Sequence, residues 1–370
     1  MADVRPVPFL TIVDHTGNHR GQVVGALGAF YRISDYGDTD SALRGVRTLP
    51  PDLILVDDLT PPLGGFEFVR QVRRDRTPGL AAVPVIVTSK LEEPALQEAV
   101  RQCGANAYLL KPYRYSALMK AVTTLLNRQV EAQWETLPAP QRAALRGTLD
   151  VFESLSEIIE TGTQIDYVTM QTACEPLVDV IAQNDFRALL SGVRNHDNYT
   201  YAHSVKVATM LCLFGSAIGL DRPGQLLLAC GGLLHDTGKM MIPHEVLNKP
   251  GRLEPGEWEV MRTHVPVTLE FLQAGLAIPK GAVIIAAQHH EKLDGTGYPH
   301  GLKGTELNEL ARMAAIVDIF SALTDRRIYK PAMPVPEALA LMSGPMAGHL
   351  DQHLLRLFRE LVLDTTGGVL

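Results

Sequence analysis

The chain has 370 residues, 46% of them hydrophobic and 20% charged, the balance of a folded protein with two domains and a connector rather than a disordered or fibrous one. Its 34 Lys and Arg against 41 Asp and Glu give a formal charge of −7, so no overall field draws DNA or an anionic membrane, and an anionic ligand needs a local site. No run approaches the ~20 apolar residues that cross a bilayer, and the opening MADVRPVPFL lacks the apolar stretch of a secretory signal; a cytoplasmic protein without a membrane span is expected.

Between residues 8 and 127, short apolar runs at 9–13, 53–56, 85–88 and 107–110 alternate with longer amphipathic stretches. That alternation predicts an α/β domain over 1–127, a parallel sheet covered by helices. In such a sheet the chemistry sits at the carboxyl ends of the strands. The residues there are Asp14 and His15, Asp57, Thr88 and Ser89, and Lys111-Pro112. With the run DDLTPPLGG, in which Pro61 stands four residues and Gly64-Gly65 seven and eight residues after Asp57, they resemble the receiver domain of two-component response regulators, a flavodoxin-like fold. The resemblance implies that Asp57 is the phosphoacceptor for a sensor histidine kinase, with Asp14 holding Mg²⁺, Thr88 and Lys111 contacting the phosphoryl group, and Tyr108 as the switch aromatic. His15 departs from the pattern, because receivers of this kind place a second acid there and Mg²⁺ prefers oxygen ligands. Two readings stay open: a phosphorylated switch, or a pseudo-receiver that serves as a docking or dimerisation module.

Proline, glutamine and charge rise after residue 128 (RQVEAQWETLPAPQR), which predicts a linker and connecting helices over 128–190. Leu145, Leu149, Phe152 and Ile159 form a short apolar seam that suits either a homodimer coiled coil or packing on the chain's own domain. Cys103, Cys174, Cys212 and Cys230 are scattered through apolar helical stretches and read as buried free thiols.

From 191 to 370 the sequence reads as an all-α domain broken by glycine and proline loops. Eight of the twelve histidines fall between His196 and His300, the first sign of a metal site. His203 lies in YAHSVKVATMLCLF, His235-Asp236 in LLHDTGK, His264 in EVMRTHVPV, His289-His290 in HHEKLDGTGYPHGL, and Asp318 after MAAIV. Each polar group stands among residues that should be core. Burying it uncompensated would cost several kcal/mol (about 2–7 for a neutral polar group), a penalty that a metal removes by taking neutral imidazoles and carboxylates as ligands.

These segments, with IPHEVLNKPGRL and ALTDRRIYK, resemble the HD-GYP family of HD phosphohydrolases, the match running from about Tyr199 to Phe358. The resemblance implies an all-helical fold and hydrolysis of cyclic di-GMP to linear pGpG and, in some members, on to GMP. It implies one metal on His203, His235, Asp236 and Asp318 and a second on Asp236, His264, His289 and His290, with Asp236 bridging. The donor set suits Fe or Mn, and paired cations suit attack of water on phosphorus because they acidify water and neutralise phosphoryl charge. Lys239 would steady a phosphoryl oxygen or the leaving group, Arg327 and Lys330 would contact phosphate, and Tyr298 would shape the substrate pocket.

Four positions depart from the family pattern. Tyr199 replaces a glutamate that in some members completes a third metal site, so two metals are expected here; Ser321 replaces an aspartate, Ile328 a proline and His244 an aspartate. The expected protein is a metal-dependent cyclic di-GMP phosphodiesterase governed by its receiver domain through residues 128–190. The rivals are a weakly catalytic scaffold that binds cyclic di-GMP or a diguanylate cyclase, and a hydrolase of another cyclic dinucleotide or phosphate ester.

Overall fold

The structure is a computed structural model that describes residues 7–28, 30–194, 196, 198–247, 249, 251–325 and 332–366. It forms two compact units, Met1–Gln129 with Asn248–Pro250, and Val130–Leu247 with Gly251–Leu370.

In the first unit β1 (Phe9–Val13), α1 (Gly17–Gly28), β2 (Arg32–Tyr36), α2 (Thr39–Thr48), β3 (Leu53–Asp57), α3 (Gly65–Arg74), β4 (Val85–Ser89), α4 (Glu93–Cys103) and β5 (Ala107–Leu110) alternate, and α5 (Tyr115–Trp134) follows, its residues from Val130 on belonging to the second unit. The strands form one parallel sheet in the order β2-β1-β3-β4-β5. β3 and β4 are buried along their whole length, as central strands covered on both faces require. Side chains alternate between two cores: Ile54 and Val56 pack with Val46, Phe68 and Val100 from α2, α3 and α4, while Leu53 and Leu55 pack with Leu27, Leu118 and Val122 from α1 and α5. β2 was not among the strands expected from apolar runs. Its sequence RISDY is half polar and largely uncovered at the sheet edge, so it carries no such run. The α/β parallel-sheet expectation otherwise holds.

The second unit is helical: α6 (Ala139–Thr161), α7 (Tyr167–Ala182), α8 (Arg187–Arg194), α9 (Tyr199–Ala217), α10 (Arg222–Leu234), α11 (His244–Leu247), α12 (Pro255–Arg262), α13 (His264–Ala274), α14 (Lys280–Gln288), α15 (Glu309–Thr324), α16 (Val335–Ser343) and α17 (Gln352–Thr366). Side-chain caps start the helices that matter for the site. Asn198 accepts from the Tyr201 N–H ahead of α9, Asp221 from Gly224 ahead of α10, and Asn308 from Leu310 ahead of α15. α9 and α10 cross so closely that a Cβ on Gly232 would lie 2.7 Å from the Ala208 Cα. One hydrophobic core runs from Val130 and Trp134 to Val362.

The helices within 128–190, expected as a linker and connecting helices, contribute to that core. Leu145, Leu149 and Phe152 are buried in it, Ile159 is half-buried, and α6 packs on α7. The seam is therefore spent inside the second unit. All four cysteines are buried free thiols. Among the described residues no helix is long and apolar enough to cross a membrane.

Candidate metal centre

Five elements converge on one point of the second unit. α9 carries His203 in its second turn, α10 ends against His235 and Asp236, α13 opens with His264, α14 runs into His289 and His290, and α15 bears Asp318. A tight turn over Thr237–Met241 follows Asp236. It needs Gly238, because a Cβ there would run into the His264 carbonyl oxygen.

The convergence yields two clusters with one shared member. Ligand atoms of His203, His235, Asp236 and Asp318 lie within 4.8 Å of one another, as do those of Asp236, His264, His289 and His290; all are buried except His290, which is half-buried. Asp236 divides its oxygens between them. Its Oδ2 is 3.2 Å from His235 Nε2 and 3.7 Å from His203 Nε2, and its Oδ1 is 3.4 Å from His264 Nε2 and 3.6 Å from His289 Nε2. Asp318 reaches both sides as well, with Oδ1 3.0 Å from His203 Nε2 and Oδ2 3.8 Å from His290 Nδ1.

Three of the imidazoles are aimed by the same device. Nδ1 of His235, His264 and His289 donates to the carbonyl three residues earlier, Gly232, Met261 and Ala286, at 2.7, 2.7 and 2.9 Å. With that proton fixed on Nδ1, the Nε2 lone pair faces the cluster. The Nε2 atoms of all three and Asp236 Oδ1 are buried without a hydrogen-bond partner. Each such atom costs about 1–3 kcal/mol if left so, and four acceptors facing one space fit a cation.

His203 is aimed differently. Its Nδ1 lies 2.8 Å from Asp325 Oδ2, and the other Asp325 oxygen accepts from Lys206 Nζ at 2.7 Å. Sequence reasoning missed Asp325 and Lys206. The available signal was spacing: Asp325 stands seven residues after Asp318, at the C-terminal cap of α15, and Lys206 three after His203 on α9.

Electrostatics favour ligand-ready forms at most positions. Burial opposes ionisation of Asp236, but the charges of His235 and Lys239 outweigh it and hold the carboxyl well below its usual range. Burial likewise resists ionisation of Asp318 but yields to hydrogen bonds from His203 and His235, and the group is held low. Burial pushes His264 down to about 4 and His290 well below the ordinary imidazole range, so both are neutral near pH 7. His235 goes the other way, up to about 10, because Asp236 outweighs burial, and His203 is raised too, its hydrogen bonds with Asp318 and Asp325 outweighing burial; to serve as a ligand, the Nε2 of each would have to give up its proton.

Lys239 Nζ contacts Asp236 Oδ2. Tyr298 packs against the cluster, its ring centroid 4.6 Å from that of His290 and 6.3 Å from that of His264. Its loop is pinned by Glu291, which sequence reasoning also missed. The buried carboxylate accepts backbone N–H groups from His300, Gly301 and Leu302 at 2.6, 3.1 and 3.0 Å. The Tyr199 ring stacks on His203 at 5.8 Å, and Ser321 is buried with its Oγ unpartnered. Arg327, Ile328 and Lys330 lie outside the described residues, as does the His244 side chain.

In the first unit the strand ends bring Asp14, His15 and Asp57 within 4.8 Å. Lys111 Nζ donates to Asp57 Oδ2 at 2.7 Å and to Asp14 Oδ2 at 3.2 Å, and His15 Nδ1 lies 3.3 Å from Asp57 Oδ1. Thr88 is buried beside Asp57 in register. His19 was not foreseen: its Nδ1 is 2.6 Å from Asp14 Oδ2 and its Nε2 2.9 Å from the Tyr113 hydroxyl. Tyr108 is half-buried, donating to Glu93 and accepting from Gln97, both at 3.0 Å.

Comparison with known proteins agrees with both units. The family model described as response regulator receiver domain matches residues 11–123, and that described as HD domain matches 189–354. The chain is 29% identical over 313 residues, 84% of its length and 75% of the relative's, to the cyclic di-GMP phosphodiesterase response regulator RpfG of Xanthomonas campestris pv. campestris. It is 39% identical over 153 residues, 41% of its length and 33% of the relative's, to the 3'3'-cGAMP-specific phosphodiesterase 3 of Vibrio cholerae. A solved HDG"Y"P protein of Bdellovibrio bacteriovorus, Bd1817, shares its fold with a TM-score of 0.50 at 20% identity, over 66% of this chain and 80% of that one. With His235-Asp236 and Gly297-Tyr298-Pro299 standing at one site, the chain carries a stretch that matches the receiver domain and a second that matches the HD domain.

Proposed function

We propose that this protein is a metal-dependent phosphodiesterase that hydrolyses cyclic di-GMP to pGpG, with its receiver domain as the regulatory input. The observation that carries the reading is the set of buried, unpartnered Nε2 and Oδ atoms that face one another around Asp236. The similarity over 313 residues to RpfG, a cyclic di-GMP phosphodiesterase response regulator, supports cyclic di-GMP as substrate.

His203, His235, Asp236 and Asp318 would hold one divalent cation and Asp236, His264, His289 and His290 another, Fe or Mn by donor type. Bound there, such ions acidify water and neutralise charge on a phosphoryl group. The chain's own residues do the rest. The carbonyls of Gly232, Met261 and Ala286 fix three imidazole tautomers, and Asp325 with Lys206 fixes a fourth imidazole. Lys239, already against Asp236, has further N–H donors for a nonbridging oxygen and a proton for the departing 3′-oxygen. Arg327 and Lys330 contact phosphate, and Tyr298 walls the pocket. Asp57 receives a phosphoryl group from a sensor histidine kinase, and the protein works in the cytoplasm.

The deciding experiment measures cyclic di-GMP turnover by the full chain loaded anaerobically with Fe or Mn, with metal content on the same sample and Asp236→Ala as control. Turnover with about two metals per chain, as a paired-metal site requires, is expected from the wild type and none from the variant. A fully metallated wild type that binds but does not cleave the dinucleotide overturns the reading. A second reading, in which 3'3'-cGAMP is the substrate, is favoured by the relative specific for it; the same assay with both dinucleotides separates them.

A further inference from the structure

Arg262 closes α12 two residues before His264. Its guanidinium sits over the Tyr298 ring, 5.2 Å from the centroid, and Tyr298 in turn lies against His290. One aromatic ring therefore separates this cation from the metal centre. The side chain is 48% exposed, and Glu259, itself 75% exposed, is 3.5 Å from it, the outer limit of a hydrogen bond. A guanidinium held over a phenol ring by a cation–π contact, with a single contact at 3.5 Å to Glu259, has further N–H donors in its planar fork to offer a ligand.

A planar donor fork beside a phosphoryl site calls for a planar ligand with two adjacent acceptors. In a cyclic dinucleotide whose phosphate lies at the metal centre, that ligand is a purine. Guanine presents the acceptors N7 and O6 side by side, whereas adenine presents the acceptor N7 beside the N6 donor, which opposes an arginine N–H. We propose that Arg262, seated on Tyr298, reads the N7/O6 edge of a guanine base and gives the site its preference for guanine over adenine. The inference rests on the cyclic-dinucleotide reading above and adds the base selectivity of that same site.

The test uses the full Mn²⁺-loaded chain as wild type, Arg262→Ala and Arg262→Lys, with cyclic di-GMP, cyclic di-IMP, cyclic di-AMP and the base-free diester bis(p-nitrophenyl) phosphate. Hypoxanthine keeps N7 and O6 but lacks the guanine amino group. Cyclic di-IMP is therefore expected to track cyclic di-GMP in the wild type, with cyclic di-AMP about 10- to 100-fold poorer in kcat/KM, the span of one bidentate base contact. In Arg262→Ala the gap closes to within a few-fold through a rise in KM for the guanine and hypoxanthine substrates. Arg262→Lys, which keeps charge without the fork, does not restore the gap. The rate on bis(p-nitrophenyl) phosphate stays unchanged in both variants and reports an intact metal centre. A gap that persists in Arg262→Ala, or a parallel fall on every substrate including the base-free diester, overturns the inference while leaving the phosphodiesterase reading standing. A wild type that cleaves only the base-free diester overturns that reading and this inference with it.

Discussion

Every imidazole of the metal centre whose Nδ1 is fixed by a backbone carbonyl takes it from its own chain three residues back, so the ring's direction is set by local helix geometry. His203 instead depends on Asp325 and Lys206. Replacing Asp325 with Asn should therefore weaken metal binding about 10- to 100-fold, the usual effect of losing a ligand's hydrogen-bond partner; chelator competition against the wild type measures it, and equal affinities would remove Asp325 from the site. The seven clustered residues were legible in sequence because each interrupts a core-forming run, and the structure brings their ligand atoms together. Asp325, Lys206 and Glu291 were not, since their purpose appears only when α9 meets α15 and when residues 300–302 fold back on Glu291. At the receiver site the imidazole of His19 escaped notice for the same reason: its partners Asp14 and Tyr113 come from just beyond β1 and just beyond β5.

One carboxylate gives a pH signature away from the metals. The Thr77 backbone N–H and the Arg47 guanidinium, 2.9 and 2.7 Å from Asp75, lower its pKa to about 2. A folded-state pKa below the unfolded value of about 3.9 contributes stability that is present above that value and is lost as pH falls toward the folded one. The receiver unfolding midpoint of Asp75→Asn in urea should thus lie below wild type at pH 6, and the difference should shrink between pH 4 and pH 2. A difference independent of pH would mean that the charge is not what matters.

At the scale of elements, α9 and α10 are joined where Gly232 meets Ala208. Alanine at 232 should cost about 1–3 kcal/mol by overpacking, lowering the thermal midpoint of the second unit. Because the Gly232 carbonyl also aims His235, metal affinity should fall in the same variant; loss of stability without loss of affinity would separate the two roles. Helices and central strands could be read from their apolar pattern, and the all-α second unit followed from it. β2 could not, because an edge strand needs apolar residues on little of its surface. Residues 128–190 were expected as linker and connecting helices on composition. Their charged stretch turned out to hold Arg146 against Glu131 and Glu135, 3.0 Å from each, on the outside of helices whose other faces are core.

For the whole molecule, the question is whether the receiver accepts a phosphoryl group. His15 stands where an oxygen ligand would serve Mg²⁺, 3.3 Å from Asp57, and a hard cation gains little from an imidazole. His15→Asp should speed Asp57-dependent mass gain from acetyl phosphate and Mg²⁺ at least about tenfold, a change equivalent to about 1.4 kcal/mol in the barrier. Equal rates would show that the imidazole is no obstacle.

The hydrophobic core that begins at Val130 and Trp134 also decides where the chain can be cut. The HD family match starts at residue 189, but the Tyr201 hydroxyl, on a fully buried ring, is bonded to the Leu145 carbonyl at 3.0 Å, and α7 lies on α9 and α10. A recombinant fragment beginning at 189 would lose both covers and should go into inclusion bodies. One beginning at 130 keeps them, and is the piece on which expression and crystallisation of the helical half should be attempted.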